Sequence, residues 1–137
     1  MTDEHFVSST DVSTQQFDWG TLKWVATPDH NGSGRLSAGV VQLKPGKGNE
    51  LHTHPESNEI LYVVGGEGEQ TVAGETREVS AGEMIFVPKG VEHGTVNTNW
   101  EPLKLLAVYA PPGPERQLAD LPECEIFPPG ELPTRND

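Results

Sequence analysis

Beyond residue 17 the chain is a succession of short apolar runs cut by glycine and proline. Runs at 36–43, 60–64, 84–87 and 103–109 carry mostly aliphatic and aromatic residues, stopped respectively by Pro45-Gly46, Gly65-Gly66, Pro88 and Pro111-Pro112. Such runs between turn-formers predict strands. Segments 70–73 and 76–79 flank Gly74-Glu75 and predict a hairpin, and 94–96 leads into a turn over 97–102. Phe17, Trp19, Leu22, Trp24 and Val25 predict a first strand or pair of strands, followed by a concentrated turn signal, PDHNGSG, at 28–34. The pattern predicts an all-β sandwich or barrel with little helix, at most a turn or so over 115–121.

A length of 137 residues suits one domain. Residues 1–16, rich in Ser, Thr and Asp, read as a flexible N-terminal arm. Residues 17–110 hold the strand candidates, and 111–137 read as a Pro-rich C-terminal tail lying extended across the surface. Gly 15 and Pro 12 together approach a fifth of the chain, which favours many short elements over a few long helices.

Charge narrows the partners. Lys+Arg 9 against Asp+Glu 21 gives a net charge of -12, which repels phosphate backbones and anionic membranes, so no nucleic acid and no membrane partner is expected. The same excess reads as colloidal solubility or as adaptation to a salty cytoplasm. A lone cysteine, Cys124, excludes an intramolecular disulfide and any multi-cysteine metal site. With no signal-like leader and no long apolar run, the expected location is cytoplasmic.

The chemistry concentrates in two segments. His52 and His54 stand two apart, so on an extended backbone both imidazoles face the same way. Glu59 has the wrong parity for that face, but the irregular stretch 55–58 can bring it round, where it shares a face with Leu61 and Val63. A lone carboxylate entering an apolar interior is costly, and a metal ion is one way to compensate it. His93 adds a third imidazole. Three imidazoles and one carboxylate form a borderline-hard site suited to one divalent transition metal, Zn, Fe, Mn, Ni or Co, without choosing among them.

These residues carry a family resemblance. The first segment resembles the first cupin motif, Gly-x5-His-x-His-x4-Glu-x6-Gly, as Gly46, His52, His54, Glu59 and Gly66. The second resembles its partner, Gly-x5-Pro-x-Gly-x2-His-x3-Asn, as Gly82, Pro88, Gly90, His93 and Asn97. The resemblance covers about 20–110 and implies a single double-stranded β-barrel of jelly-roll type over 17–110, with the metal held inside by His52, His54, Glu59 and His93. It implies turns at Gly46 and Gly82, a strand end at Gly66, and a structural rather than ligating Asn97. It also implies a homodimer, for which a free edge at 17–25 is the expected contact.

Other residues divide between chemistry and packing. Tyr109 is the catalytic candidate, because it can share the interior with Leu105 and Ala107. Tyr62 faces outward, and Glu50, Glu56 and Glu92 read as solvated rim carboxylates. His5, His30 and Arg35 read as surface groups, and Trp19, Trp24 and Trp100 as core or dimer packing. Flanking carboxylates make Cys124 a poor nucleophile. The expected function is a metal-dependent enzyme of oxygenase or Lewis-acid isomerase, lyase or cyclase type, acting on a small oxygen-rich chelating ligand. The alternative is a non-catalytic module binding a metal, sugar or organic anion. A DNA-binding regulator or a two-barrel decarboxylase would need a second domain that the expected single barrel leaves no room for.

Overall fold

The computed structural model describes residues 5–32 and 34–133. Its strands are β1 (Thr14–Phe17), β2 (Gly20–Ala26), β3 (Ser37–Leu43), β4 (Asn58–Gly65), β5 (Glu67–Val72), β6 (Glu75–Ser80), β7 (Met84–Val87), β8 (His93–Val96), β9 (Leu103–Ala110) and β10 (Glu125–Phe127). A short helix α1 (Pro28–Asn31) follows β2, and α2 (Pro114–Ala119) follows β9. The strands form a seven-stranded sheet, β10-β1-β2-β3-β9-β4-β7, and a three-stranded sheet, β6-β5-β8. Every pairing is antiparallel. The all-β architecture expected from the sequence is the one observed.

Period-two patterning orients the strands. On β4, Glu59, Leu61 and Val63 are buried while Ile60, Tyr62 and Val64 face outward. On β9, Leu103, Leu105, Ala107 and Tyr109 all point inward. One apolar cluster runs from Leu22 and Trp24 through Val41, Leu43, Val63 and Leu105 to Val79 of the smaller sheet. Each fully buried Leu or Val in it contributes about 1.5–3 kcal/mol.

The termini depart from the sequence expectation. The arm expected over 1–16 contains a 3-10 turn at Ser9–Asp11 and then β1, whose four residues are all buried. Polar Gln15 tolerates burial because its Oε1 accepts from Trp24 Nε1 at 3.0 Å. Its Nε2 donates to the Glu115 carbonyl at 3.5 Å. The part of the arm at 1–4 lies outside the described residues, as do 134–137 of the tail. The tail carries α2, in line with a short helix, but Glu125–Phe127 is a strand paired to β1 rather than a surface strap. β2 is consequently bonded on both sides, so the free edge expected at 17–25 is closed. The open edges of the large sheet are β10 and β7. The turn expected at 28–34 begins with α1, capped by the Thr27 hydroxyl, which accepts from His30 N at 3.1 Å.

Asn97 closes the barrel end. It is fully buried, and its Nδ2 donates to the Leu43 carbonyl at 3.0 Å and to that of Glu101 at 2.8 Å. Its Oδ1 accepts from Asn99 N at 2.9 Å. Asn97→Asp keeps the shape but turns two donors into an oxygen facing two carbonyls. A loss of about 2–3 kcal/mol is expected in urea unfolding, and an unchanged midpoint would contradict the structural role.

Candidate metal centre

The two motif segments are stitched together by backbone hydrogen bonds. His52 N donates to the His93 carbonyl and His93 N returns the bond to His52, each at 2.9 Å, so the two ligand candidates sit opposite one another. Gly90 N donates to the His54 carbonyl at 2.9 Å, and Lys89 N donates to Asn58 Oδ1 at 3.0 Å. Gly90 lies at φ 76, a backbone region that favours glycine, and shapes the loop that presents His93. Opposite, β4 and β9 pair Glu59 with Tyr109.

The three imidazoles converge. One ring nitrogen from each of His52, His54 and His93 lies within 4.8 Å of the others. His52 Nδ1 donates to the Glu50 carbonyl at 2.6 Å and His93 Nδ1 to the Val91 carbonyl at 2.9 Å. Because a carbonyl only accepts, both rings hold a proton on Nδ1 and turn Nε2 toward the centre. Glu59 Oε1 lies 2.8 Å from His93 Nε2 and 3.6 Å from His54 Nε2. All three atoms are buried, and none has an aligned hydrogen-bond partner. Buried polar atoms are seldom left so, and three converging on one point are what a bound cation would satisfy. The residues fit a metal ion.

Electrostatics keep two of the three rings neutral and tie the third to Glu59. Burial lowers the His52 pKa, and burial lowers that of His54 to about 4, so both rings are neutral near pH 7 and able to donate a lone pair. For His93 burial also disfavours the charged form, but the Glu59 carboxylate and the Val91 carbonyl outweigh it and raise the pKa. Tyr109 is buried and reaches the site, its ring edge-on to His54 with centroids 5.1 Å apart. Burial, followed by the charge of Glu59, raises its pKa well above the ordinary tyrosine range, so its hydroxyl keeps its proton.

The donors open into a cavity of about 520 Å³. Leu61, Leu105 and Tyr109 line it, together with Phe17, Trp19, Leu118 and Leu121. Glu50 is exposed at the cavity, as a rim carboxylate should be, whereas Glu56 and Glu92 do not line it. His5, His30 and Arg35 do not line it either; His5 and Arg35 are exposed and His30 is half-buried. The tryptophans diverge. Trp24 is core, Trp100 is exposed, and Trp19 packs half-buried against the core while also lining the cavity. Sequence reasoning missed Lys47, Asn49 and Thr95, which precede or follow the three histidines on the same strands and loops. It also missed Leu118, Leu121 and Glu123, although the spacing of Leu118 and Leu121 marks one helical face. Cys124 is half-buried outside the site, its pKa raised by burial and by Glu123.

A profile of the Cupin domain matches residues 39–109, just over half of the chain. The chain belongs to the cupin family. This cupin is 24% identical over 129 residues to the tetracenomycin polyketide synthase protein TcmJ of Streptomyces glaucescens, covering 94% of this chain and 87% of that protein. Over 101 residues it is 32% identical to oxalate decarboxylase OxdC of Bacillus subtilis, covering 66% of this chain but only 26% of that protein. Among solved structures, an RmlC-like cupin from Shewanella frigidimarina superposes with a TM-score of 0.72 at 24% identity, covering 82% of this chain and 96% of that one. The structural likeness shows the shared fold. No helix among the described residues is long and apolar enough to cross a membrane.

Proposed function

We propose that this cupin is a metal-dependent enzyme acting on a small, oxygen-rich, chelating molecule, with one divalent transition metal held by His52, His54, His93 and Glu59. The observation that carries the reading is the convergence of three buried donors, His54 Nε2, His93 Nε2 and Glu59 Oε1, none with an aligned hydrogen bond. When bound, the metal supplies Lewis-acid polarisation of a substrate oxygen, or redox chemistry if it is Fe, Mn, Ni or Co. Two relatives named for polyketide synthesis and for oxalate decarboxylation support an oxygen-rich substrate class.

The chain's own residues orient and shield. The carbonyls of Glu50 and Val91 hold His52 and His93 in one tautomer. Tyr109 keeps its proton, and its hydroxyl, which faces the Glu59 carboxylate, would turn to donate to a substrate oxygen once Glu59 is engaged by the metal. Leu61, Leu105 and Tyr109 line the cavity with the donors, and such low-polarity surroundings strengthen charge interactions. Metal-loaded protein is expected to turn over a chelating hydroxy acid, diketone or catechol-type compound, and Tyr109→Phe to lower kcat by about 100-fold with metal content unchanged. Reversible binding without turnover by the Zn, Fe, Mn, Ni and Co forms would overturn the enzyme reading in favour of a module that binds a metal, sugar or organic anion.

A homodimer is part of this reading, with its contact moved from the closed edge at 17–25 to the outer face of β4 and β7. Ile60, Tyr62, Val64, Met84 and Phe86 are all more than two-fifths exposed there, an uncharged face on a chain of net charge -12. Two such chains repel elsewhere and meet most cheaply where charge is absent. Sedimentation of the wild type is expected to give a dimer and of Tyr62→Glu/Phe86→Glu a folded monomer; a monomeric wild type would contradict this.

A further inference from the structure

The cavity is larger and more aromatic than metal chelation by a small acid requires. Phe17 and Trp19, at the β1–β2 turn, stack with ring centroids 4.8 Å apart and planes 5° from parallel, and both line the cavity. Phe17 is buried while Trp19 is half-buried, so Phe17 backs a Trp19 ring that remains partly uncovered. Leu118 and Leu121, from α2 and the residues after it, line the same cavity and complete an apolar region. At about 520 Å³ the space falls in the range of about 300–1,000 Å³ typical of pockets that enclose drug-sized molecules.

The charges in the cavity wall select against anions. Asp18, Glu50, Glu59 and Glu123 line it against one ammonium, Lys47. A divalent metal offsets only part of that excess, so a small dianion such as oxalate meets a net negative wall. An uncharged aromatic ring meets none of this repulsion and gains both burial and stacking on Trp19.

We infer that the substrate is an uncharged, planar, fused-ring aromatic bearing adjacent oxygen donors, its oxygens at the His52, His54 and His93 end and its outer ring on Trp19 beneath Leu118 and Leu121. The inference deepens the proposed enzyme reading and rests on it. The positions of the two ends are independent, since Trp19 belongs to the β1–β2 turn and the histidines to β8 and the loop before β4.

The test is calorimetric titration of zinc-loaded and zinc-free protein with 2,3-dihydroxynaphthalene, catechol and oxalate. The naphthalene diol is expected to bind about tenfold more tightly than catechol, with oxalate the weakest. Trp19→Phe should keep that advantage, and Trp19→Ala should reduce it to about threefold or less without changing zinc content. Leu121→Glu, at a position that is already exposed, should do the same with no risk to the core. Equal binding of the two diols, an advantage that survives both variants, or tightest binding of oxalate would overturn the inference while leaving the metal site standing. Failure to hold zinc, with the ring preference intact in zinc-free protein, would sink the metal reading and spare the aromatic slot.

Discussion

His93→Ala is expected to lose its metal and keep its fold. The imidazole supplies one of three converging nitrogens, and its Nε2 is buried without an aligned partner. Removing it deletes a donor outright and leaves Glu59 Oε1 facing empty space, 3.6 Å from His54 Nε2. Loss of a residue that merely orients a ligand typically weakens a metal site by about 10–100-fold, so loss of a ligand should cost at least about 100-fold. The strand should survive, because its hydrogen bonds to His52 are made by the backbone of residue 93, which alanine retains. His52→Ala should behave alike. Competition against a chromogenic chelator reads the affinity and circular dichroism the fold. Wild-type affinity in both variants would remove these histidines from the ligand set.

Deleting residues 1–16 should destabilise the domain substantially. The deletion removes buried Val12 and the strand residues Thr14, Gln15 and Gln16, and it uncovers β10 and one side of β2. It also strips Trp24 Nε1 of its acceptor, Gln15 Oε1. An unsatisfied buried donor costs about 1–3 kcal/mol and the lost apolar burial about 1.5 kcal/mol more. A fall of about 3 kcal/mol corresponds to roughly 10 °C or more in Tm for a domain of this size. Deleting residues 1–6 only, where His5 and Phe6 are exposed, should leave Tm within about 2 °C. Equal melting of both truncations and the wild type would mean that β1 contributes nothing to the core.

The interior was legible where side-chain alternation and chemistry coincide. Glu59, Leu61 and Val63 alternate with exposed neighbours, and that phase alone places the carboxylate inside the barrel. Tyr109 follows from the same phase on β9. The candidate ligand pair His52 and His54 stood out because two imidazoles at i and i+2 share a face. The ends were less legible. Nothing in Thr14, Gln15 and Gln16 announces burial: the Gln15 amide is matched only by Trp24 and Glu115, which the chain brings back from other elements, and Thr14 Oγ1 is buried with no partner at all. For the same reason β10 could not be paired, because its register is set by β1 rather than by its own pattern. Leu118 and Glu123 escaped notice as cavity lining because they meet Trp19 and the histidines only through tertiary packing.

Metal content tests the account most directly. Untagged protein from cells supplemented in turn with Zn, Fe, Mn, Ni and Co is analysed for its elements, with a His52→Ala/His54→Ala double variant as the blank. The account predicts about one ion per wild-type chain, removable by chelator, and none in the variant. No bound ion under any supplementation, or equal metal in wild type and variant, would contradict it.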